Sequence, residues 1–216
     1  LENAKKYHAT NGSLITIDVK TGQILTMVGS RDYFDTEIPG NFNTATSLRQ
    51  PGSSFKPIVY ATAFMKGYTP NTVLFDVPTE FNTKCSPKSE PLTNNPEIKC
   101  YSPENYDGKF RGPVSIRNSL AQSLNIPAVK SLYLAGVKDS ITTAKKMGIT
   151  SLDINNNYGL SLVLGSGEVS LLEITNAYAV FANEGTYNKS SFILSVLDKN
   201  GNILESAIIN QFEGSS

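Results

Sequence analysis

The chain has no excess of charge, one histidine, two cysteines and no long hydrophobic run, and each shortage removes a class of function. Its 216 residues carry 19 Lys+Arg and 19 Asp+Glu, a formal net charge of zero. That balance gives no electrostatic footprint for a nucleic-acid partner. No apolar run approaches the roughly 18 consecutive residues needed to cross a bilayer. Residues 1–10 (LENAKKYHAT) are polar and do not read as a signal peptide. His8, Cys85 and Cys100 cannot fill the usual four positions of a zinc site, so no metal and no cofactor is expected. The two cysteines sit in a stretch rich in Pro, Asn, Ser and Lys. There they either close a disulfide, worth about 3 kcal/mol by loop entropy and pointing outside the cytoplasm, or stand as two thiols. The chain starts at Leu1 without a methionine and ends in Glu213-Gly214-Ser215-Ser216, which reads as a piece of something longer.

What is present is an alternation of strand and helix patterns in one domain-sized chain. Ser13 to Val19 and Gly22 to Val28 alternate in polarity around Lys20-Thr21-Gly22 and predict a β-hairpin. Ser53 to Lys66 predicts a largely buried helix ended by Gly67. Residues 76–113 predict a long irregular insertion that holds both cysteines. Loops of that length usually serve a site or are insertions. Helices are expected over Val114 to Gln122, Pro127 to Ala135, Lys138 to Met147 and Val169 to Asn183. A second hairpin is expected from Phe192 to Glu205 around Asp198 to Gly201. Hairpin, helices, hairpin is an α+β order.

Within this frame Arg49-Gln50-Pro51-Gly52-Ser53-Ser54-Phe55-Lys56-Pro57 carries the strongest chemical signal. Pro-Gly favours a turn, so Ser53 falls at the first turn of the helix. Residues three apart share a helix face, which pairs Ser53 with Lys56 and turns Ser54 away. Unpaired N–H groups and the helix dipole favour negative charge at such a helix end. Lysine acts as a base only when burial or a nearby cation lowers its pKa. A hydroxyl, an amine and a positive helix end make a layout for acyl transfer. The same residues also fit a capping serine beside a solvated lysine. Pro57 is compatible with a first turn.

A second constellation, Ser123-Leu124-Asn125, lies between two predicted helices just ahead of Pro127. The residue before a proline avoids helix, so a bend is expected here that exposes both polar side chains. A hydroxyl and a carboxamide two residues apart can deliver a proton and orient an amide. They are equally consistent with a plain helix-stop loop.

These blocks in this order resemble the transpeptidase domain of class A penicillin-binding proteins. The resemblance includes Ile17-Asp18, Thr21 to Leu25, Met27-Val28-Gly29 and Arg49 to Pro57. It continues through Tyr101 to Gly112 (YSPENYDGKFRG), Ala121 to Lys130 (AQSLNIPAVK) and Gly159 to Gly185. It implies the fold shared with serine β-lactamases, a helical lobe plus an antiparallel sheet, with residues 1–216 a partial domain and the sheet incomplete. It also implies Ser53 as nucleophile on the D-Ala-D-Ala end of a stem peptide and Lys56 as its base. Ser123 would relay a proton to the leaving amine, and Asn125 would hold Lys56 or the substrate amide. The implied partners are peptidoglycan stem peptides, as lipid II or nascent glycan, and β-lactams. The implied location is extracytoplasmic, with the full-length protein membrane-anchored.

The family carries a third motif, K-T/S-G, on a later strand. The single KTG here, Lys20-Thr21-Gly22, precedes the nucleophile and lies in a hairpin turn, so it is not that motif. The residues to Ser216 are therefore expected to acylate poorly by themselves, since losing an oxyanion donor costs about 10²–10³ in rate. Unpaired sheet edges should favour self-association. Neither a glycosyltransferase domain nor an anchor is expected within these residues. A serine β-lactamase and a non-catalytic penicillin-binding scaffold are the competing readings. The first needs a base for a deacylating water, and no persuasive candidate stands out.

Overall fold

The computed structural model describes residue 6 and residues 9–206, which fall into two compact units. One unit collects the described residues up to Gln50, Ala144–Asp153 and the residues from Glu168 onward. The other consists of Pro51–Thr143 and Ile154–Gly167.

In the first unit β1 (Leu14–Ile17) pairs antiparallel with β2 (Ile24–Val28), with Leu14 opposite Val28. The expected hairpin is present, and its turn is tied by one side chain. Asp18 Oδ1 accepts from the N–H of Lys20 and Thr21, both at 2.9 Å, and from Thr21 Oγ1 at 3.0 Å. Lys20-Thr21-Gly22 is thus an Asx-type turn, as its residue types predict. β3 (Leu48–Arg49) pairs with β6 (Val169–Ser170), and β7 (Ser195–Leu197) with β8 (Ile203–Ser206). The last pair is exposed along its whole length.

The helix α5 (Leu171–Ala182) packs against β1 and buries Ile174, Ala177 and Val180. Its expected start at Val169 is corrected, because Val169 and Ser170 are taken by strand pairing. Ser170 then caps the helix, accepting from Glu173 N–H, while Glu173 reaches back to Ser170 N–H. This Ser-x-x-Glu capping box satisfies two otherwise orphaned donors.

The second unit is built on two buried helices. A 3₁₀ turn over Gly52–Phe55 runs into α1 (Lys56–Met65), which packs against α3 (Asn125–Ala135). Ile58, Val59, Tyr60 and Ala63 from α1 meet a core that includes Ile126, Val129 and Leu132 from α3. Both helices read as apolar on nearly every side, the pattern of helices buried all round. A second 3₁₀ segment, Leu160–Leu164, covers α3 with Leu162 and Val163. The helix α4 (Val137–Lys146) begins in this unit and its last turn falls in the other.

Residues 76–113 are less irregular than expected, because their ends are paired. β4 (Val73–Asp76) and β5 (Gly112–Ser115) form an antiparallel pair with Asp76 opposite Gly112. Ser115 then caps α2 (Ile116–Ala121), so the helix expected from Val114 starts later. Beyond this base, Cys85 and Cys100 form a disulfide. The limbs leading to it are also joined by hydrogen bonds. Glu80 Oε1 accepts from Asn82 and Tyr101 N–H, and Phe81 N–H donates to Tyr101 O.

Candidate active site

The 3₁₀ turn at Gly52–Phe55 determines how Ser53 and Lys56 relate. With about three residues per turn, side chains at i and i+3 lie one above the other. Ser53 therefore shares a face with Lys56 more strictly than an α-helix would impose, and it sits one turn ahead of the α-helix rather than inside it. Its side chain is exposed. Ser54 Oγ instead donates back to Pro51 O at 2.6 Å. The backbone around Ser53 is fixed from below, because Gly165 (φ 84°) lies against Gly52 (φ 59°). A Cβ at Gly165 would stand 2.1 Å from Gly52 N and 2.4 Å from its Cα.

Lys56 is buried, with only 1% of its surface exposed. Its Nζ donates to Ser123 O at 2.6 Å, Asn125 Oδ1 at 2.8 Å and Ser123 Oγ at 3.2 Å. All three partners are neutral. Burial without a counter-charge disfavours the ammonium and brings the Lys56 pKa down from 10.5 to about 8. A neutral amine keeps two N–H bonds and gains one lone pair. Ser123 O and Asn125 Oδ1 can only accept, so they retain the two N–H bonds. The lone pair is then free to accept from a hydroxyl.

Ser123 and Asn125 reach Lys56 from the bend expected between the two helices, with the second helix starting two residues earlier than Pro127. The break is at Ser123, whose φ of 53° lies in the left-handed region, and at the extended Leu124. Left-handed backbone is uncommon for a residue with a side chain, and such strain clusters at functional positions. Asn125 is already the first residue of α3, which moves Pro127 to the third position of that helix rather than its start. Ser123 is exposed as expected, whereas Asn125 is half-buried. Asn125 Nδ2 donates to Glu104 O at 2.7 Å, which leaves its oxygen facing Lys56.

A cleft of about 490 Å³ opens over these groups, lined by Ser53, Ser123 and Asn125 together with Asn105, Tyr106 and Arg111. The structure thus brings all four sequence-predicted residues to one place in the second unit. The last three lining residues come from the 76–113 segment, and no role was assigned to them from sequence. Their signal was the polar Asn105-Tyr106-Asp107-Gly108 turn inside a long loop, since site residues concentrate in loops on a rigid scaffold. Arg111 hydrogen bonds hold the Asp107 carboxyl down to about 2, through a bridge at 2.8 Å.

Residues 12–211 match the model of the penicillin binding protein transpeptidase domain, and the chain belongs to that family. Among its relatives, penicillin-binding protein 1A of Aquifex aeolicus is 40% identical over 195 residues, 90% of this chain and 24% of the relative. The solved penicillin-binding protein 1A of Haemophilus influenzae superposes with a TM-score of 0.75 at 31% identity, covering 91% of this chain and 27% of that one. The PonA1 protein of Mycobacterium tuberculosis, solved in complex with penicillin V, also gives a TM-score of 0.75, with 95% of this chain and 54% of that one covered. At 21% identity it bears on the fold alone. The chain spans about a quarter of the length of the curated relatives it matches. Among the described residues no helix is long and apolar enough to cross a membrane.

Proposed function

We propose that this chain carries the acyl-transfer half of a peptidoglycan D,D-transpeptidase, with Ser53 as nucleophile and Lys56 as base. The observation that carries the proposal is the buried Lys56 amine. It is held by three neutral acceptors, and it lies three residues after a serine that opens on the cleft. A lysine with a pKa near 8 is neutral for part of the time at physiological pH, which a solvated lysine is not.

In the first step Ser53 Oγ attacks the carbonyl carbon between the two terminal D-alanines, and its proton passes to Lys56 Nζ. The tetrahedral intermediate collapses with cleavage of the C–N bond. The leaving amine takes a proton from Ser123 Oγ, and Ser123 is reprotonated by the Lys56 ammonium. The acyl group on Ser53 Oγ is then taken by an amine of a neighbouring stem peptide, which forms the cross-link and returns the proton. A β-lactam with the same carbonyl chemistry would acylate Ser53 without a departing amine. Asn125 keeps Lys56 in place and has a second amide N–H to offer to the substrate. Family membership supports this reading. A location outside the cytoplasm with a membrane anchor elsewhere in the protein belongs to the same proposal, and the Cys85–Cys100 disulfide supports it.

The test is labelling of the full-length protein with a fluorescent penicillin, followed by cross-linking of stem peptides. Ser53→Ala should abolish both and Ser54→Ala neither. Labelling that survives Ser53→Ala would overturn the assignment.

A further inference from the structure

The Lys56 site is held in place by a buried polar relay that begins outside it. Asp76, at the end of β4, is 0% exposed, and Asn105 is 5% exposed. Asn105 Nδ2 donates to both carboxylate oxygens of Asp76, each at 2.9 Å, and to Lys109 O at 2.8 Å. Asn105 Oδ1 accepts the N–H of Asn125 at 2.8 Å. The amide of Asn105 has only one workable orientation. Turned over, its oxygen would face a carboxylate and a carbonyl, and its NH₂ would face the Asn125 N–H.

The acceptor matters at its far end because of where Asn125 sits. Asn125 opens α3, so its N–H is one of the orphaned first-turn donors, and the capping residue Leu124 has no side chain that can accept. Asn105 does so from 20 residues upstream. Its neighbour Glu104 takes the Asn125 side-chain NH₂. Main chain and side chain of Asn125 are thus both pinned by residues 104 and 105, and the remaining atom, Oδ1, is delivered to Lys56 Nζ at 2.8 Å.

Burial of a carboxylate is costly unless donors satisfy it. Asp76 receives Asn105 and the Arg111 N–H at 3.0 Å. The cations that act on it through space are Lys130 and Arg111. Lys130 itself binds Phe75 O at 2.6 Å. A charge placed this way at a strand end adds nothing to apolar packing, and its oxygens are taken by Asn105 and the Arg111 N–H.

We propose, resting on the reading of Ser53 and Lys56 above, that Asp76 and Asn105 are positioning residues for acyl transfer. Asp76 orients Asn105, Asn105 fixes Asn125, and Asn125 holds the Lys56 amine under Ser53. Both act through Asn125, and their effect is on the acylation step.

The test measures the rate of acylation by a fluorescent penicillin in the full-length protein from about pH 5 to pH 8, with Tm followed at each pH. Asn105→Ala should slow acylation on the order of 10²-fold, the usual cost of a misplaced reacting group. Asn105→Asp gives a readout that a merely structural role would not move. Its new carboxyl faces the Asp76 carboxylate with Lys130 and Arg111 nearby, and the like charge beside it disfavours ionisation of the new group. Protonated, it can still donate to Asp76 and accept from the Asn125 N–H. Ionised, it repels Asp76 and Lys109 O. Its rate relative to the parent should therefore fall as pH rises, from within roughly tenfold at about pH 5 to roughly 10²-fold below at about pH 8. A ratio that is flat with pH, or falls only where Tm falls with it, overturns the proposal. So does Asn105→Ala acylating within about twofold of the parent. Should Asn105→Ala fail to fold, the Asn105→Asp profile decides alone. Ser53→Ala is run alongside. Labelling that persists there overturns the nucleophile assignment itself, a different outcome from normal rates in the Asn105 variants.

Discussion

The Lys56 amine is anchored on the main-chain carbonyl of Ser123 at 2.6 Å, and Ser123 offers that carbonyl from a left-handed backbone with φ of 53°. The same residue presents its hydroxyl to the same amine at 3.2 Å. One carbonyl that can only accept and one hydroxyl that can do either give the proton two distinct places. The carbonyl holds the amine whatever its charge, and the hydroxyl can pass a proton on. The strain at Ser123 and the burial of Lys56 are thus parts of one arrangement.

Acylation of Ser53 should rise with pH through about 8, as Lys56 loses its proton, and then level off. Stability should move the same way for a separate reason. Between about 8 and 10.5 the unfolded chain holds a proton on Lys56 that the folded chain has lost, so stability increases with pH across that window. Below about 8 both states are protonated and the full cost of burying the charge remains. Rates of β-lactam acylation and chemical denaturation at pH 7, 8 and 9 in the full-length protein check both limbs. Rates that stay flat through pH 8 would exclude Lys56 as the base.

Ser123→Gly should separate strain from chemistry. Left-handed backbone costs a side-chain-bearing residue roughly 1–2 kcal/mol, which glycine avoids at a lesser entropic loss. The variant should be as stable as the parent or more so, yet acylate at least about 10²-fold more slowly without the hydroxyl. Ser123→Ala should lose the rate without gaining stability. Thermal melts beside labelling kinetics distinguish the two.

Gly165→Ala should damage the nucleophile's backbone from a distance of more than a hundred residues in sequence. The added Cβ meets the Gly52 main chain rather than a side chain that could swing aside, and the φ of 84° adds strain. A loss of roughly 1–3 kcal/mol is expected, with slower labelling of Ser53. Unchanged labelling would show that Gly52 tolerates displacement.

Glu173 supports the first unit through five donors. Its Oε1 accepts from Thr150 N–H and Oγ1 and from Ser151 N–H, and its Oε2 from Ser170 N–H and Oγ. Burial pushes the carboxyl pKa up, but bonds from Ser170, Ser151 and Thr150 outweigh it and hold it below the usual value. A depressed carboxylate stabilises above the unfolded pKa and loses that contribution as pH falls through the folded one. Glu173→Ala should cost about 2 kcal/mol at neutral pH and show a weaker loss of stability on acidification. Melts at pH 7 and pH 4 measure it.

The sequence by itself determined the local elements. Both hairpins follow from alternation and turn residues, and the helix after Ser53 follows from its apolar pattern. The Ser170–Glu173 spacing also carries its own start signal, although the apolar run alone suggested an earlier one. Ser53, Lys56, Ser123 and Asn125 could be singled out because short spacings place side chains on one face. The disulfide was legible as an option, since two cysteines in one loop have few alternatives.

Only the tertiary structure decided how these pieces act on one another. Sequence spacing cannot show that Lys56 is 1% exposed, because burial comes from α1 packing on α3 across nearly seventy residues. Nor can it show the β4–β5 pair that closes residues 76–113, which depends on strands 36 residues apart meeting in register. The bend at Ser123-Leu124-Asn125 was expected, but spacing did not show that Ser123 enters the left-handed region, where bonds to Lys56 hold a backbone that local preference would not choose. Asp76 had no local signal, and for Asn105 the polar turn marked only a loop without showing what the side chain binds. Their part emerges from long-range hydrogen bonds, which a periodic pattern does not encode, and those bonds set the position of the one amine on which the proposed chemistry depends.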